Sequence, residues 1–220
     1  MDTSASVKMK LDFEKTAAIN FMRSVMRYRD EAMLVEFDKG ITMLHDFTGK
    51  PTEIINEIRD LRAGGGTALL DAIYQVSQEK MAEKRLRQTI IVISDGDDLH
   101  SSRSLAEAVN MAQLAETSIY AIGTNKMGAT RSKNGIKILN RLTEETGGRV
   151  FFPFTEMEME TAFDKIEKEL RSQYSITYTP RNKVRDGKFR ELEVRVAKGK
   201  NRPGNLSIRH KKGYYAAQPM

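Results

Sequence analysis

Apolar residues recur at helical spacing in six segments of the first 171 residues. Between residues 13 and 27 they lie three or four positions apart, which is the spacing of an amphipathic helix. Pro51 stands where a helix can begin, and the glycines that start at Gly64 end that segment. The pattern predicts helices over Phe13–Arg27, from Pro51, from Ala68, and over Ser104–Leu114, Ile136–Glu145 and Glu158–Leu170.

Short apolar runs between these helices predict strands. The run Thr89–Ile93 is β-branched and apolar throughout, as in a central strand that helices cover on both faces. A turn at Lys39 and Gly40 predicts a hairpin. Because strands and helices alternate, we expect an α/β fold with a mostly parallel, doubly wound sheet. The predicted strands are Ala32–Phe37, Ile41–Phe47, Thr89–Ile93, Ser118–Ile122 and Arg149–Phe152.

The pattern changes from Gln173 onwards to alternation without helices. Leu192, Val194 and Val196 alternate with charged residues, which predicts a sheet with one buried face. We therefore predict two units, an α/β domain of residues 1–171 and a short antiparallel β extension of residues 172–220. Its predicted strands are Tyr174–Thr179, Phe189–Val196 and Leu206–His210, with turns at Asp186-Gly187 and Pro203-Gly204.

Composition excludes several classes of protein. The chain of 220 residues is 40% hydrophobic and 30% charged and contains no cysteine, so disulfides, thiolate metal sites and cysteine nucleophiles are excluded. No apolar run approaches the roughly 18 residues of a membrane span. The net charge is +6, but residues 180–212 carry twelve Lys or Arg against three Asp or Glu. The tail thus holds +9 and the rest −3; we interpret the basic residues as a solvated face and do not predict nucleic-acid binding from charge alone.

Oxygen-bearing side chains stand at three places that the fold can bring together. Asp2, Ser4 and Ser6 occupy alternate positions, from which an extended loop can direct all three to one point. Thr67 follows three glycines, and Asp95 ends a predicted strand, where ligand sites of parallel sheets lie. Such hard ligands suit Mg²⁺, with Mn²⁺ or Ca²⁺ as alternatives. Taken alone, the first three are equally typical of a polar terminus or a helix cap.

Other candidate residues receive structural interpretations. Asp71 is expected to support the first turn of its helix rather than to bind metal. Asp97 and Asp98 are left out of the predicted ligands, although a second ion such as Ca²⁺ is the alternative. The three histidines, His45, His100 and His210, are scattered without metal-binding spacing, which argues against zinc catalysis.

Three motifs in order resemble the metal-ion-dependent adhesion site of von Willebrand factor type A domains. They are Asp2-x-Ser4-x-Ser6, Thr67 within Gly64–Ala72, and Asp95 within Ile93–Asp98. The resemblance implies a Rossmann-like sheet over residues 1–171, a cation held by Asp2, Ser4, Ser6, Thr67 and Asp95, and a sixth position left for a partner's carboxylate. The segments Tyr174–Pro180, Arg185–Arg190 and Lys212–Tyr215 resemble the endings of acidobacterial proteins of this type.

The sequence departs from the family pattern at its start. Ala5 replaces a commoner glycine, and only Met1 precedes Asp2, where the family has a central strand between those at Ala32 and Thr89. We hypothesise that the chain is a fragment of a bacterial protein whose parent is exported, with Met1 as an internal strand residue. An in-frame apolar segment upstream is the expected observation.

The resulting functional hypothesis is a non-enzymatic, adhesion-type module that binds a protein partner through a cation. A metal-assisted phosphoester hydrolase is one alternative, but no histidine base, nucleophile elbow or phosphate loop with lysine is present. A structural domain with a non-functional metal site is the other alternative. The partner's identity and the oligomeric state are not predicted.

Overall fold

The structure, a computed structural model, describes residues 1–82, 87–124, 132–174, 176–197 and 208–216. Its helices are α1 Leu11–Val25, α2 Pro51–Asp60, α3 Leu69–Val76, α4 Leu105–Leu114, α5 Lys133–Thr146 and α6 Glu156–Arg171, and a π-helical stretch, Ser77–Met81, continues α3. Its strands are β1 Ala32–Phe37, β2 Ile41–Thr48, β3 Gln88–Ser94, β4 Thr117–Gly123, β5 Val150–Phe151, β6 Phe189–Glu191 and β7 Gly213–Tyr215. All six helices and the five strands predicted up to residue 171 are confirmed, with ends that differ by a few residues.

The sheet consists of two hydrogen-bonded parts. β1 and β2 form the predicted antiparallel hairpin, and β3, β4 and β5 form a parallel sheet in that order. Residues 1–3 lie between the two parts: the Asp2 amide donates to the Ile93 carbonyl at 2.9 Å, and the Phe37 amide donates to the Met1 carbonyl at 3.1 Å. Asp2 therefore lies where the resemblance places it, at the carboxyl ends of β1 and β3.

Helices cover both faces of the sheet, as the apolar character of β3 predicts. On β4, Tyr120 and Ile122 pack on the cluster of α1, α2 and α6, whereas Ile119 and Ala121 pack on that of α3, α4 and α5. Successive strand residues point to opposite faces, so both must be apolar when both are covered. The fold class is confirmed as doubly wound α/β. No helix in the described part of the chain is long and apolar enough to cross a membrane.

The C-terminal extension differs from its prediction. The described residues of Tyr174–Thr179 form no strand, and Tyr174 and Ile176 are exposed. Only Phe189–Glu191 of the second predicted strand is β-structure, and Val194 and Val196 are also exposed, so the predicted buried face is wrong. A segment of alternating apolar and polar residues forms a stable strand only where another surface covers its apolar side.

The strand that pairs with β6 is Gly213–Tyr215 instead. The remaining predicted strand, Leu206–His210, has no strand at residues 208–210, and residues 206 and 207, like the turn at Pro203-Gly204, lie outside the described residues. Gly213 permits the pairing, because a β-carbon there would lie 2.4 Å from the Arg190 carbonyl oxygen. The Tyr215 hydroxyl also donates a hydrogen bond to the Asn110 side chain of α4 at 2.5 Å. This bond connects β7 to helix α4.

Leu139 of α5 belongs to the apolar cluster between the sheet and helices α3, α4 and α5, and its substitution tests that packing. Its side chain is fully buried, and Leu139→Ala should lower the free energy of unfolding by about 2–5 kcal/mol through lost burial and a residual cavity. Urea denaturation measures this value. Leu114→Ala, at a position 56% exposed, is the control and should change stability by less than about 1 kcal/mol. Equal effects at the two positions would contradict the assigned packing.

Candidate metal site

Asp2 is the most deeply buried of the predicted ligands. Its side chain is inaccessible to solvent, and both carboxylate oxygens accept hydrogen bonds, from the Ser4 amide at 2.9 Å and from the Ser94 hydroxyl at 2.6 Å. Burial raises the pKa of the Asp2 carboxyl, the hydrogen bonds from Ser4 and Ser94 lower it, and the nearby Asp95 charge raises it further. A nearby cation would relieve the cost of keeping this group ionised.

Ser4 and Ser6 face each other across a tight turn. Their hydroxyl oxygens are 2.9 Å apart, with Ser4 buried and Ser6 exposed. Residues Ala5–Val7 form a 3₁₀ turn, so the expected extended loop is wrong in its conformation. The turn nevertheless brings the two hydroxyls together beside the Asp2 carboxylate.

The glycine loop places Thr67 by pairing with the start of the chain. The Gly64 amide donates to the Thr3 carbonyl at 2.7 Å, and the Ala5 amide donates to the Gly65 carbonyl at 3.2 Å. Gly65 has φ +81°, and a β-carbon on Gly66 would lie 2.2 Å from the His100 ring. A side chain would therefore strain the backbone at Gly65, and at Gly66 it would displace the His100 ring. Thr67 itself is only 4% exposed.

Asp95 follows β3 in a turn that the start of α5 contacts closely. Its carboxylate accepts a hydrogen bond from the Asp97 amide at 3.1 Å, and Gly96 adopts φ +80°. A β-carbon on Gly135 would lie 2.4 Å from the Asp95 carbonyl oxygen, so only glycine allows this approach. Asp95 is partly exposed, which leaves it accessible from outside.

All five predicted ligands thus belong to loops at one edge of the sheet. Hydrogen bonds link Asp2, Ser4 and Ser6, and backbone pairing joins the Thr67 loop to them. Within the described ranges, no three Asp, Glu, His or Cys residues form a group that could hold a metal ion. A cation at this edge would depend on hydroxyl oxygens as well as on the two carboxylates.

Residues next to this edge serve the scaffold. Asp71, in the first turn of α3, accepts hydrogen bonds from the Ser102 and Arg103 amides at 3.0 and 2.8 Å, which fits the structural role that we expected. Asp98 accepts a hydrogen bond from the Ser101 hydroxyl at 2.8 Å, and burial raises its pKa. The Thr67 amide donates to Nδ1 of His100 at 3.2 Å.

Two residues of this region were not predicted from the sequence to belong to the site. Ser94 holds Asp2 and also accepts a hydrogen bond from the Gly96 amide at 3.0 Å; its place directly before Asp95 was the available signal. Glu14 of α1 is fully buried, and neither of its carboxylate oxygens has a hydrogen-bond partner among the residues that the structure describes. It lies three residues from both Leu11 and Ala17 on the apolar face of the helix, and this spacing could have identified it.

Comparison with known proteins finds sequence relatives of the same family as the resemblance noted in the sequence. Residues 1–97 match the family model described as von Willebrand factor type A domain. A human protein, von Willebrand factor A domain-containing protein 3B, is 27% identical over 161 residues, which are 69% of this chain and 11% of the human protein. This chain therefore spans only about a tenth of that relative's length.

Solved structures share the fold at low identity. An aerotolerance-related membrane protein from Bacteroides fragilis superposes with a TM-score of 0.63 at 14% identity, over 78% of this chain and 96% of that one. Proximal thread matrix protein 1 from the mussel byssus, solved with a zinc-occupied MIDAS motif, gives a TM-score of 0.61 at 16% identity, over 76% and 45% of the two chains. These structures show that the chain shares the α/β fold of these proteins. The fold is that of von Willebrand factor type A domains, and residues 1–97 carry the sequence match to that family.

Glu14 gives the folded protein a specific pH dependence. Burial raises the pKa of the Glu14 carboxyl from 4.5 to about 7, against the opposing effects of Thr124 and Lys10 and with the added effect of Asp2 and Asp95. Above pH 4.5 the unfolded chain loses this proton, whereas the folded protein keeps it until about pH 7. The contribution of Glu14 to the free energy of unfolding should therefore fall by about 3 kcal/mol as pH rises through this window, and level off above it.

Glu14→Gln should remove that loss, because the amide does not titrate. Urea denaturation at pH 5, 6, 7 and 8 in EDTA compares the slopes of stability against pH for the two proteins. Glu160→Gln, at an exposed position of α6, is the matched control and should keep the parent slope. If the stability of Glu14→Gln falls with pH as steeply as that of the parent, Glu14 is not the titrating group.

Proposed function

We propose that this chain is a protein-binding module that uses a divalent cation held by Asp2, Ser4, Ser6, Thr67 and Asp95. The observation that carries the proposal is the environment of Asp2, a fully buried carboxylate beside paired serine hydroxyls at the carboxyl edge of the sheet. A buried carboxylate is costly unless a positive charge or hydrogen bonds compensate it. The mussel protein, which shares the fold, has a zinc-occupied MIDAS motif, and this supports the proposal of a cation site.

The balance of ligands explains why such a cation would bind a partner. Asp2 and Asp95 supply two negative charges, and Ser4, Ser6 and Thr67 supply neutral oxygens. A divalent ion in this set keeps the capacity to attract a further anionic oxygen. The matching partner group is an Asp or Glu carboxylate at the open coordination position. Mg²⁺ is the first candidate, with Mn²⁺ or Ca²⁺ as alternatives.

The same surroundings favour binding over catalysis. His100 is the histidine next to the predicted ligands, and its Nδ1 already accepts the Thr67 amide hydrogen. Both carboxylate oxygens of Asp2 accept hydrogen bonds, from Ser4 and Ser94, and this fixed position supports the role of a ligand over that of a mobile base. We therefore propose a non-enzymatic role.

Calorimetric titration with MgCl₂ and MnCl₂ tests the cation site. The parent protein should bind one ion, and Asp2→Ala combined with Asp95→Ala should weaken binding by at least about tenfold, since both charged ligands are lost. Asp60→Ala, at the exposed end of α2, is the matched control and should bind like the parent. Melting curves in EDTA verify that each variant is folded.

A glutamate-containing peptide library tests the partner. Peptides that bind in Mg²⁺ should dissociate on addition of EDTA, and their Glu→Gln forms should not bind. Unchanged metal affinity in the double variant would overturn the site, and turnover of phosphoester substrates would favour the hydrolase. A protein that is folded but shows no ion binding would indicate a structural domain.

A further inference from the structure

The loop that connects β3 to α4 lies beside the candidate cation site and is tied to the Thr67 loop. The Leu99 and His100 amides both donate hydrogen bonds to the Thr67 carbonyl, at 3.1 and 2.9 Å. Further along, the Arg103 amide donates to the Asp71 carboxylate of α3 at 2.8 Å. Hydrogen bonds at both ends of this stretch therefore fix its backbone before any partner binds.

His100 lies with its ring against Gly66 and offers one N–H group to the outside. A β-carbon on Gly66 would lie 2.3 Å from Nδ1 of the ring, so the glycine makes room for it. The Thr67 amide donates to Nδ1 at 3.2 Å, so this nitrogen carries no proton, and in the neutral ring the proton is on Nε2. His100 is exposed, and Nε2 has no hydrogen-bond partner among the residues that the structure describes. The ring thus presents a donor next to the candidate ligand Thr67.

Leu99 places an apolar side chain beside this donor. It is 78% exposed, although its own amide is bonded to the Thr67 carbonyl. A single exposed leucine is common on protein surfaces. This one differs because its backbone is fixed next to a site that is proposed to bind a partner. A preorganised loop loses little conformational entropy on binding, so the contact of its side chain adds to affinity.

The two side chains suit different parts of an acidic partner segment. When one oxygen of a carboxylate binds a cation, the other oxygen still accepts hydrogen bonds, and those to an ionised group are among the stronger ones. The Nε2–H group of His100 can supply that donor without adding a charge. An apolar residue that neighbours the acidic one can cover Leu99, and the contact removes apolar surface of both from water.

We propose that His100 and Leu99 select the acidic residue that the cation site accepts. His100 donates to the partner's carboxylate through Nε2, and Leu99 packs against a large aliphatic residue next to that carboxylate in the partner's sequence. The partner is a protein segment in which one Asp or Glu is flanked by aliphatic residues, rather than by small polar ones. This inference rests on the proposed cation-dependent function and adds the specificity of that site.

Two immobilised peptides test the role of Leu99. One is Gly-Ser-Leu-Glu-Leu-Ser-Gly, the other has serine in place of both leucines, and surface plasmon resonance in MgCl₂ measures binding of the full chain. The parent should bind the leucine peptide about fivefold or more tightly than the serine peptide, because the leucines bury apolar surface on Leu99. Leu99→Ser should bind both peptides equally. Met157→Ser, at a position of α6 that is 76% exposed, is the matched control and should keep the parent's preference.

A substitution of His100 separates contact with the partner from support of Thr67. His100→Asn keeps an acceptor for the Thr67 amide, because the asparagine oxygen can take the place of Nδ1, but it lacks the Nε2 donor. It should bind the leucine peptide about tenfold more weakly, since a hydrogen bond to a charged group is lost. Its Mg²⁺ affinity in calorimetric titration should equal that of the parent. His45→Asn, at a half-buried histidine of β2, is the matched control and should bind both like the parent.

The two readouts distinguish failure of this inference from failure of the proposed function. If the parent binds Mg²⁺ but binds the two peptides equally, or binds neither, the cation site stands and the assigned selectivity is wrong. If His100→Asn loses Mg²⁺ affinity as much as peptide affinity, His100 supports Thr67 and does not contact the partner. A folded parent that binds no cation overturns the proposed function, and this inference with it. Melting curves verify that each variant is folded.

Discussion

The bonds that residues 1–3 make to both halves of the sheet are the constraint on which the candidate site depends. Met1 and Thr3 hydrogen-bond to β1 through Val35 and Phe37, and Asp2 hydrogen-bonds to β3 through Ile93. The Thr3 carbonyl also accepts a hydrogen bond from the Gly64 amide, so the same short segment positions the loop that carries Thr67. Asp2, the Thr67 loop and the end of β3 therefore form one connected unit, and a shift in residues 1–3 would displace ligands from all three loops.

Most of the fold could be predicted because each helix and strand up to residue 171 buries a face that its own sequence marks. Ile119–Ile122 are apolar on both faces because helices cover both. Tyr174 and Ile176 show equally clear alternation but form no strand, because no described surface covers them. Periodicity identifies a face that can be buried, whereas burial itself depends on tertiary contacts that sequence spacing does not encode.

The sequence predicted the candidate ligands of the site but not the residues that hold and surround them. Oxygen side chains at strand ends and after glycines identified the five candidates, because the chemistry of a hard cation restricts the residue types. Ser94, which holds the Asp2 carboxylate at 2.6 Å, and Glu14, a buried carboxyl on an otherwise apolar helix face, depend on packing between distant segments. Their sequence positions mark them only as a serine before Asp95 and a carboxyl among apolar helix positions, so the structure is needed to show what each of them contacts.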